Sequence, residues 1–356
     1  MLTEAQEIEV FSRLERFLLE SVQPNAGLID QHLPTLIEAF KKMAEADLLG
    51  LRVSVKDGGA GLSDLAFRKA QEEIARYSGA LAFLQTQHQS GSAFVATSIN
   101  RVLRDSLLGE LASGKHTVGI AFSQLRKPVP PGMKAERTEG GYVLNGTAPW
   151  ISGWGIFDSI CIAAVLPSEE SVWGVIPFKN SPNFEASEVM RLAALEVVQT
   201  VSSKITDLYL PEESVLFHRP PRWIHENDTL TAALQSPFAL GCAKAAIDVM
   251  RQVNERRRIQ AISKTAKLLD TELNLCRLEA YAAMGEREDL SRSLAARAWA
   301  VELMGRCVHG AVVSSAGAGN SMEHAAQRVY REALVFSVSA QTEPIVQETL
   351  ARLVRG

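Results

Sequence analysis

The sequence predicts an α+β multi-domain protein: an N-terminal helical domain (residues 1–115), a central small antiparallel β-barrel or sandwich (116–220) and a C-terminal four-helix bundle (221–356). Three observations carry this expectation. Apolar residues recur at helical spacing as far as about His116. From Val118 to about Phe217 the texture changes to short β-forming runs cut by Pro, Gly and Asn. From Asp228 onward helical spacing returns and holds to the end.

Taken in order, Thr3 and Gln6 stand at capping-box spacing, and Val10, Leu14, Phe17 and Leu18 share one face of a helix expected over 3–22 and stopped by Pro24. A second helix follows Pro34 and ends near Gly50. The run from Val53 to Leu62 is a Gly-rich turn, followed by a helix over 63–77. Two more helical segments fill 80–112. Strand-like runs then recur at 118–123, 142–144, 160–165, 172–176 and 204–210, close enough together for a small antiparallel barrel or sandwich. Beyond them, long helices are expected through Leu234–Met250, Ala261–Ala283, Ser291–His309 and from about Met322 to Val338. A short one follows Pro344. Ala295, Ala296, Ala298 and Ala300 supply the small contacts of an antiparallel bundle.

Composition narrows the function. A net charge of −4 excludes a broad nucleic-acid footprint, which needs a basic surplus to displace counterions. No stretch approaches the roughly 20 apolar residues of a membrane span. The opening MLTEAQEIEVF has neither a basic nor an apolar leader segment, so no secretory signal is expected. Cys161, Cys242, Cys276 and Cys307 are widely separated with no CxxC pair, which predicts free thiols in a reducing compartment, the cytoplasm. His309 and His324 are isolated, so no metal site is expected.

The stretch Tyr142–Gly153, YVLNGTAPWISG, carries the chemistry. It alternates apolar and polar residues, and Asn145-Gly146 predicts a hairpin turn. Trp150 and Ser152 on the returning strand would offer a planar heterocycle an indole to stack on and a hydroxyl to bond.

This hairpin resembles the acyl-CoA dehydrogenase signature strand-Asn-Gly-x-Lys-x-Trp-Ile-Thr-Asn-Gly. Asn145, Gly146, Trp150 and Ile151 match, Ser152 replaces Thr, Ala148 stands for Lys and Gly153 for Asn. Val55–Leu62 is similar to the family's Pro-Glu-x-x-Gly-Gly-x-Gly-Leu turn, Glu72-Glu73-Ile74-Ala75 to its E-E-hydrophobic-A helix, and Ile205–Leu216 to its last barrel strand and exit. The order of helices, β-domain and helices extends the resemblance to essentially the whole chain.

The resemblance implies FAD held between the β-domain and the bundle of a homodimer or homotetramer. It places the isoalloxazine on Trp150, Ile151 and Ser152, and its pyrimidine edge at Phe122 and Ser123. Where the family has Gly-Ser-Asp for the pyrophosphate, this chain has a basic, Pro-rich loop in which Arg126 or Lys127 would take that role. Arg257 corresponds to the family's pyrophosphate-pairing Arg from a neighbouring subunit. Ser314, Gly317 and Gly319 fall in its Gly-rich turn, and Thr342 matches the Thr of its Glu-Gly-Thr. The Glu of that triplet, which removes the substrate α-proton, is here Ala340, and a methyl group removes no proton. The alternative position on the first bundle helix falls near Thr231-Ala232, again without a carboxylate; Glu343 is the remaining nearby acid. No catalytic residue is therefore assigned.

Three readings follow. The first is an FAD-dependent oxidoreductase oxidising an acyl thioester or related small molecule by hydride transfer to flavin, with an unidentified electron acceptor. The second is a flavin-dependent monooxygenase using reduced flavin, supplied by a reductase, and oxygen. The third is a non-catalytic flavin-binding or assembly homologue.

Overall fold

The computed structural model describes residues 2–126 and 132–354. Six helices come first: α1 (Glu4–Phe17), α2 (Ala26–Gln31), α3 (Leu33–Glu45), α4 (Asp64–Tyr77), α5 (Gly79–Ala96) and α6 (Arg101–Ser113). The capping box forms as expected, Thr3 accepting from the Gln6 amide while the Gln6 side chain accepts from that of Thr3. The helix expected to reach Val22 instead changes at Leu18 into a π-turn and then a short 3-10 turn over Gln23–Asn25, which contains the proline.

Eight strands follow: β1 (Val118–Ala121), β2 (Met133–Thr138), β3 (Gly141–Ile151), β4 (Ser159–Val165), β5 (Ser171–Pro177), β6 (Phe184–Ala186), β7 (Val201–Pro211) and β8 (Val215–Arg219). They form one sheet in the order β6-β7-β3-β2-β4-β5-β8, with β1 on β4. The sheet stays open, and β1 and β2 pair parallel with β4 where a wholly antiparallel arrangement was expected. Asn145-Gly146 is not a turn. Both residues lie within β3, at a bulge against β7. The Asn145 amide exchanges hydrogen bonds with Asp207. Gly146 is required because a Cβ there would stand 2.3 Å from the carbonyl oxygen of Gly132, just before the paired strand β2. The hairpin turn is Glu139-Gly140, between Thr138 and Gly141.

The C-terminal region comprises α7 (Trp223–Leu230), α8 (Ser236–Arg257), α9 (Gln260–Gly285), α10 (Leu290–Ser315), α11 (Ala325–Val338) and α12 (Glu343–Leu353). Helix α10 is the centre of the bundle, packing against α8, α9, α11 and α12. Helix α8 also packs on α4, and Gly241 permits this: a Cβ there would lie 2.2 Å from the Glu72 carbonyl oxygen. One continuous apolar core thus runs from the first helices through the sheet into the bundle. No helix among the described residues is long and apolar enough to cross a membrane.

Candidate functional site

Where the N-terminal helices, the sheet and the bundle meet, a cleft of about 190 Å³ opens. Helix α5 contributes Thr86, Ser90 and Phe94 to its lining, and the exit of β1 contributes Phe122. Phe122 is set by an aromatic cluster around the fully buried Trp173, whose ring centroid is 5.2 Å from that of Phe122 and 5.0 Å from that of Phe94. The opposite wall comes from Asp228 and Thr231 at α7 and from Ala340 and Thr342 between α11 and α12.

The wall at Ala340 is held from beneath by a buried cation. Arg297 of α10 donates to the carbonyl oxygens of Gln235 at 2.8 Å and Phe336 at 2.9 Å, and it forms no ion pair among the described residues. Burial alone lowers its pKa to about 10, so it remains charged at neutral pH. Carbonyls at the end of α11 provide the negative dipole end that partly compensates it. Ala340 itself has φ 52°, a left-handed conformation that costs a non-glycine residue about 1 kcal/mol or more.

Of the residues expected from sequence to hold a cofactor, Phe122 and Thr342 line this cleft. Ser123, next to Phe122, opens a short 3-10 turn with its hydroxyl buried and without a partner. Trp150 is the penultimate residue of β3 with 55% of its surface exposed, so its indole is available and not spent on the core. Ile151 points into the core and pairs through its backbone with Val201, leaving its side chain no free face. Ser152 is buried and shares a 2.9 Å hydrogen bond with the Thr200 hydroxyl.

Arg257 and Ser314 are brought together, the guanidinium donating to the Ser314 carbonyl oxygen at 2.7 Å, with Gly317 in the turn that follows α10. Gly317 faces open space; Gly319 is the one in close contact, 3.0 Å from the Val312 carbonyl oxygen at its Cβ position. This group lies at the far end of α8 from the cleft. The 22 residues of that helix, at about 1.5 Å each, separate the two by roughly 30 Å.

Sequence reasoning missed the polar residues that converge on the cleft. Asp228 is the only acid among the described residues of its lining, and its carboxylate is clamped by Arg126 Nε at 2.6 Å and Nη2 at 2.7 Å. Arg126 also stacks over Phe122, its guanidinium carbon 5.2 Å from the ring centroid. Arg126 is thus spent on Asp228 and not left free for a phosphate; Lys127 lies outside the described residues. Arg126, the partner of Asp228, lies 102 positions away, so no local spacing in the sequence signals the pair. Glu343 is absent from the cleft lining; its carboxylate accepts from Gln347.

A planar heterocycle with a polar edge fits these observations. The orphaned Ser123 hydroxyl and the Gln124 Oε1 beside it lack partners, and an exposed indole stands at the end of a rigid strand.

Comparison with known proteins agrees with this architecture. Residues 4–115 match the family model "Acyl-CoA dehydrogenase, N-terminal domain". The chain is 24% identical to the 3-(aryl)acrylate reductase of Clostridium sporogenes, covering 96% of this chain and 97% of that protein. It is likewise 24% identical to the benzylmalonyl-CoA dehydrogenase of Aromatoleum aromaticum, over 95% of both. Isovaleryl-CoA dehydrogenase of Solanum tuberosum matches at 28% identity, over 56% of this chain and only 51% of that protein. Among solved structures, the glutaryl-coenzyme A dehydrogenase glutaryl-CoA complex superposes with a TM-score of 0.82 at 23% identity, covering 99% of this chain and 96% of that one. Butyryl-CoA dehydrogenase from Megasphaera elsdenii gives 0.81 at 19%, covering 100% and 99%. Residues 4–115 thus match the acyl-CoA dehydrogenase N-terminal domain, and the whole chain is similar to acyl-CoA dehydrogenase relatives along nearly its whole length and shares their fold.

Proposed function

We propose that the chain is an FAD-dependent oxidoreductase acting on an acyl thioester or a related unsaturated acid. The observation that carries the reading is the convergence of Phe122, Ala340 and Thr342 on one cleft, beside the buried, unpartnered Ser123 hydroxyl. Relatives whose names specify an acrylate reductase and CoA-thioester dehydrogenases, together with a structural neighbour of TM-score 0.83 described as an acyl-CoA dehydrogenase complexed with FAD, support the cofactor and the substrate class. Bound FAD supplies a two-electron acceptor or donor.

The chain's own residues define the rest. Phe122 and Trp150 offer aromatic faces, Ser123 a hydrogen bond to a polar edge, and the Phe94–Trp173 cluster keeps water from one side. Arg257, roughly 30 Å from the cleft, is assigned on the family resemblance to the pyrophosphate of a neighbouring copy's cofactor, in a homo-oligomer.

Proton handling is the departure from ordinary acyl-CoA dehydrogenation. With a methyl at Ala340 and Asp228 held by Arg126, no free carboxylate lines the cleft among the described residues. The residues therefore favour substrates whose α-proton is already acidic, or the reverse direction, reduction of a conjugated double bond. The test is anaerobic: FAD-loaded protein is mixed with saturated acyl thioesters, and the dithionite-reduced form with 2-enoyl thioesters and 3-arylacrylates. Reoxidation by the unsaturated set supports the reading. A flavin that neither set reduces or reoxidises overturns it. The Ala340 methyl also favours a second reading, a monooxygenase, which oxygenated product formed from reduced flavin and O2 would identify.

A further inference from the structure

The N-terminal wall of the cleft holds an excess of positive charge among the described residues. Arg52, Arg68 and Arg287 gather around Asp64. Arg52 Nη2 lies 2.6 Å from one carboxylate oxygen and Arg287 Nη2 lies 2.6 Å from the other. Both oxygens are thereby used, and Arg68 forms no ion pair among the described residues; three arginines and one aspartate leave a formal charge of +2. Arg52 and Arg68 both line the cleft, their guanidinium carbons 5.3 and 5.2 Å from the centroid of the Phe67 ring.

Arg68 is the unusual member. Its Nη1 donates to Gln71 Oε1 at 2.7 Å, while its Nε is buried and unpartnered. Burial first, and the neighbouring Arg52 second, hold its pKa down to about 10, so it is charged at neutral pH in an environment that disfavours charge. Gln71 in turn donates to the Thr86 hydroxyl at 2.7 Å, which leaves the Thr86 proton to point elsewhere, and Thr86 also lines the cleft. A desolvated guanidinium with a spare donor beside a hydroxyl is matched by a carboxylate.

We propose that the cleft selects substrates bearing a carboxylate, which docks on Arg68 with Arg52 and Thr86 alongside. The volume decides between a carboxylate and a nucleotide phosphate. At about 190 Å³ the cleft is smaller than the roughly 300–1,000 Å³ of common ligand pockets, and its Phe94, Phe122 and Ile345 lining suits a compact acyl or aryl body. The carboxylate belongs either to a free unsaturated acid or to the distal end of a dicarboxylic acyl thioester. This inference rests on the proposed use of the cleft for substrate.

Titration calorimetry on the FAD-loaded chain tests it with two probe pairs: 3-phenylacrylate against 3-phenylacrylamide, and glutaryl-CoA against valeryl-CoA. In one pair the carboxylate-bearing member binds at least tenfold more tightly than its neutral partner, and the pair that shows this identifies the source. Arg68→Met removes that preference and leaves the neutral partner's affinity unchanged. Arg68→Lys retains part of it, and Thr86→Val weakens the acid a few-fold, so the test survives if Arg68→Met misfolds. Equal binding within both pairs, a preference that persists in Arg68→Met, or no binding of any of the four probes at millimolar concentration overturns the proposal. Flavin content, read by absorbance beforehand, keeps this separate from the proposed function: a yellow protein without preference loses only the anion subsite, whereas a colourless chain that still prefers the acid loses the flavin.

Discussion

Lowering the pH from 7 to 5 is expected to weaken the fold through one residue, His88. Its ring is fully buried in α5, the helix that carries Thr86 and Phe94 into the cleft. Nδ1 lies 3.2 Å from the Val118 amide nitrogen, and because that amide is a donor, Nδ1 must accept. The proton therefore sits on Nε2, which donates to the Leu111 carbonyl oxygen at 2.9 Å. A second proton would set two donors against each other. Burial, ahead of the opposing hydrogen bond to the Leu111 carbonyl and aided by the nearby His116, pushes the pKa from 6.5 down to about 4. Between those values the unfolded chain binds a proton that the folded one does not. The stabilisation is fully present above pH 6.5 and is lost as pH falls through 4. At about 1.4 kcal/mol per pH unit the whole interval amounts to about 3 kcal/mol, of which about 2 is lost by pH 5. Urea unfolding of the wild type and His88→Gln, at pH 7 and pH 5, isolates this contribution, because other titrating groups are common to both. The advantage of the wild type should shrink by about 2 kcal/mol at pH 5. An advantage equal at the two pH values, or a nitrogen NMR spectrum placing the proton on Nδ1, refutes the reasoning.

Other changes have equally definite outcomes. Glu332 is fully buried, paired with Arg328 at 2.8 Å and accepting from the Gly79 amide at 2.9 Å; Glu332→Ala strands a buried cation and should cost about 3–5 kcal/mol in urea unfolding, with Glu332→Gln costing less. Ala340→Gly relieves the positive φ and should raise stability by about 1 kcal/mol. Ala340→Glu places a base in the cleft and should accelerate flavin bleaching by saturated acyl thioesters by about 100-fold or more in stopped flow. Trp150→Ala, at an exposed position, should leave the unfolding midpoint nearly unchanged while weakening FAD binding by about tenfold or more in fluorescence titration.

The architecture was legible because it rests on local signals. Helical periodicity, the Thr3 capping box and the switch to short strands at Val118 all depend on residues a few positions apart. The Asn145-Gly146 turn was misread for a physical reason: a glycine required by close backbone approach at a bulge looks, in sequence, like one required by a turn. The cleft was harder still. Arg126 meets Asp228 across 102 positions, Arg287 meets Asp64 across 223, and Ser152 meets Thr200 across 48. None of these pairings has a period or a motif. Phe122 and Thr342, singled out by resemblance as cofactor residues, lie in the cleft lining, but only the folded chain showed that Arg68 faces the same space without an ion-pair partner among the described residues.

The proposed function requires that this chain seat a flavin beside that cleft. Titration of the purified apoprotein with FAD, followed by flavin fluorescence and absorbance, addresses it directly. Saturable uptake of one FAD per chain, with a perturbed visible spectrum and weakened uptake in Trp150→Ala, is the expected result. A protein that stays colourless and leaves FAD fluorescence unchanged at high micromolar concentration would contradict it.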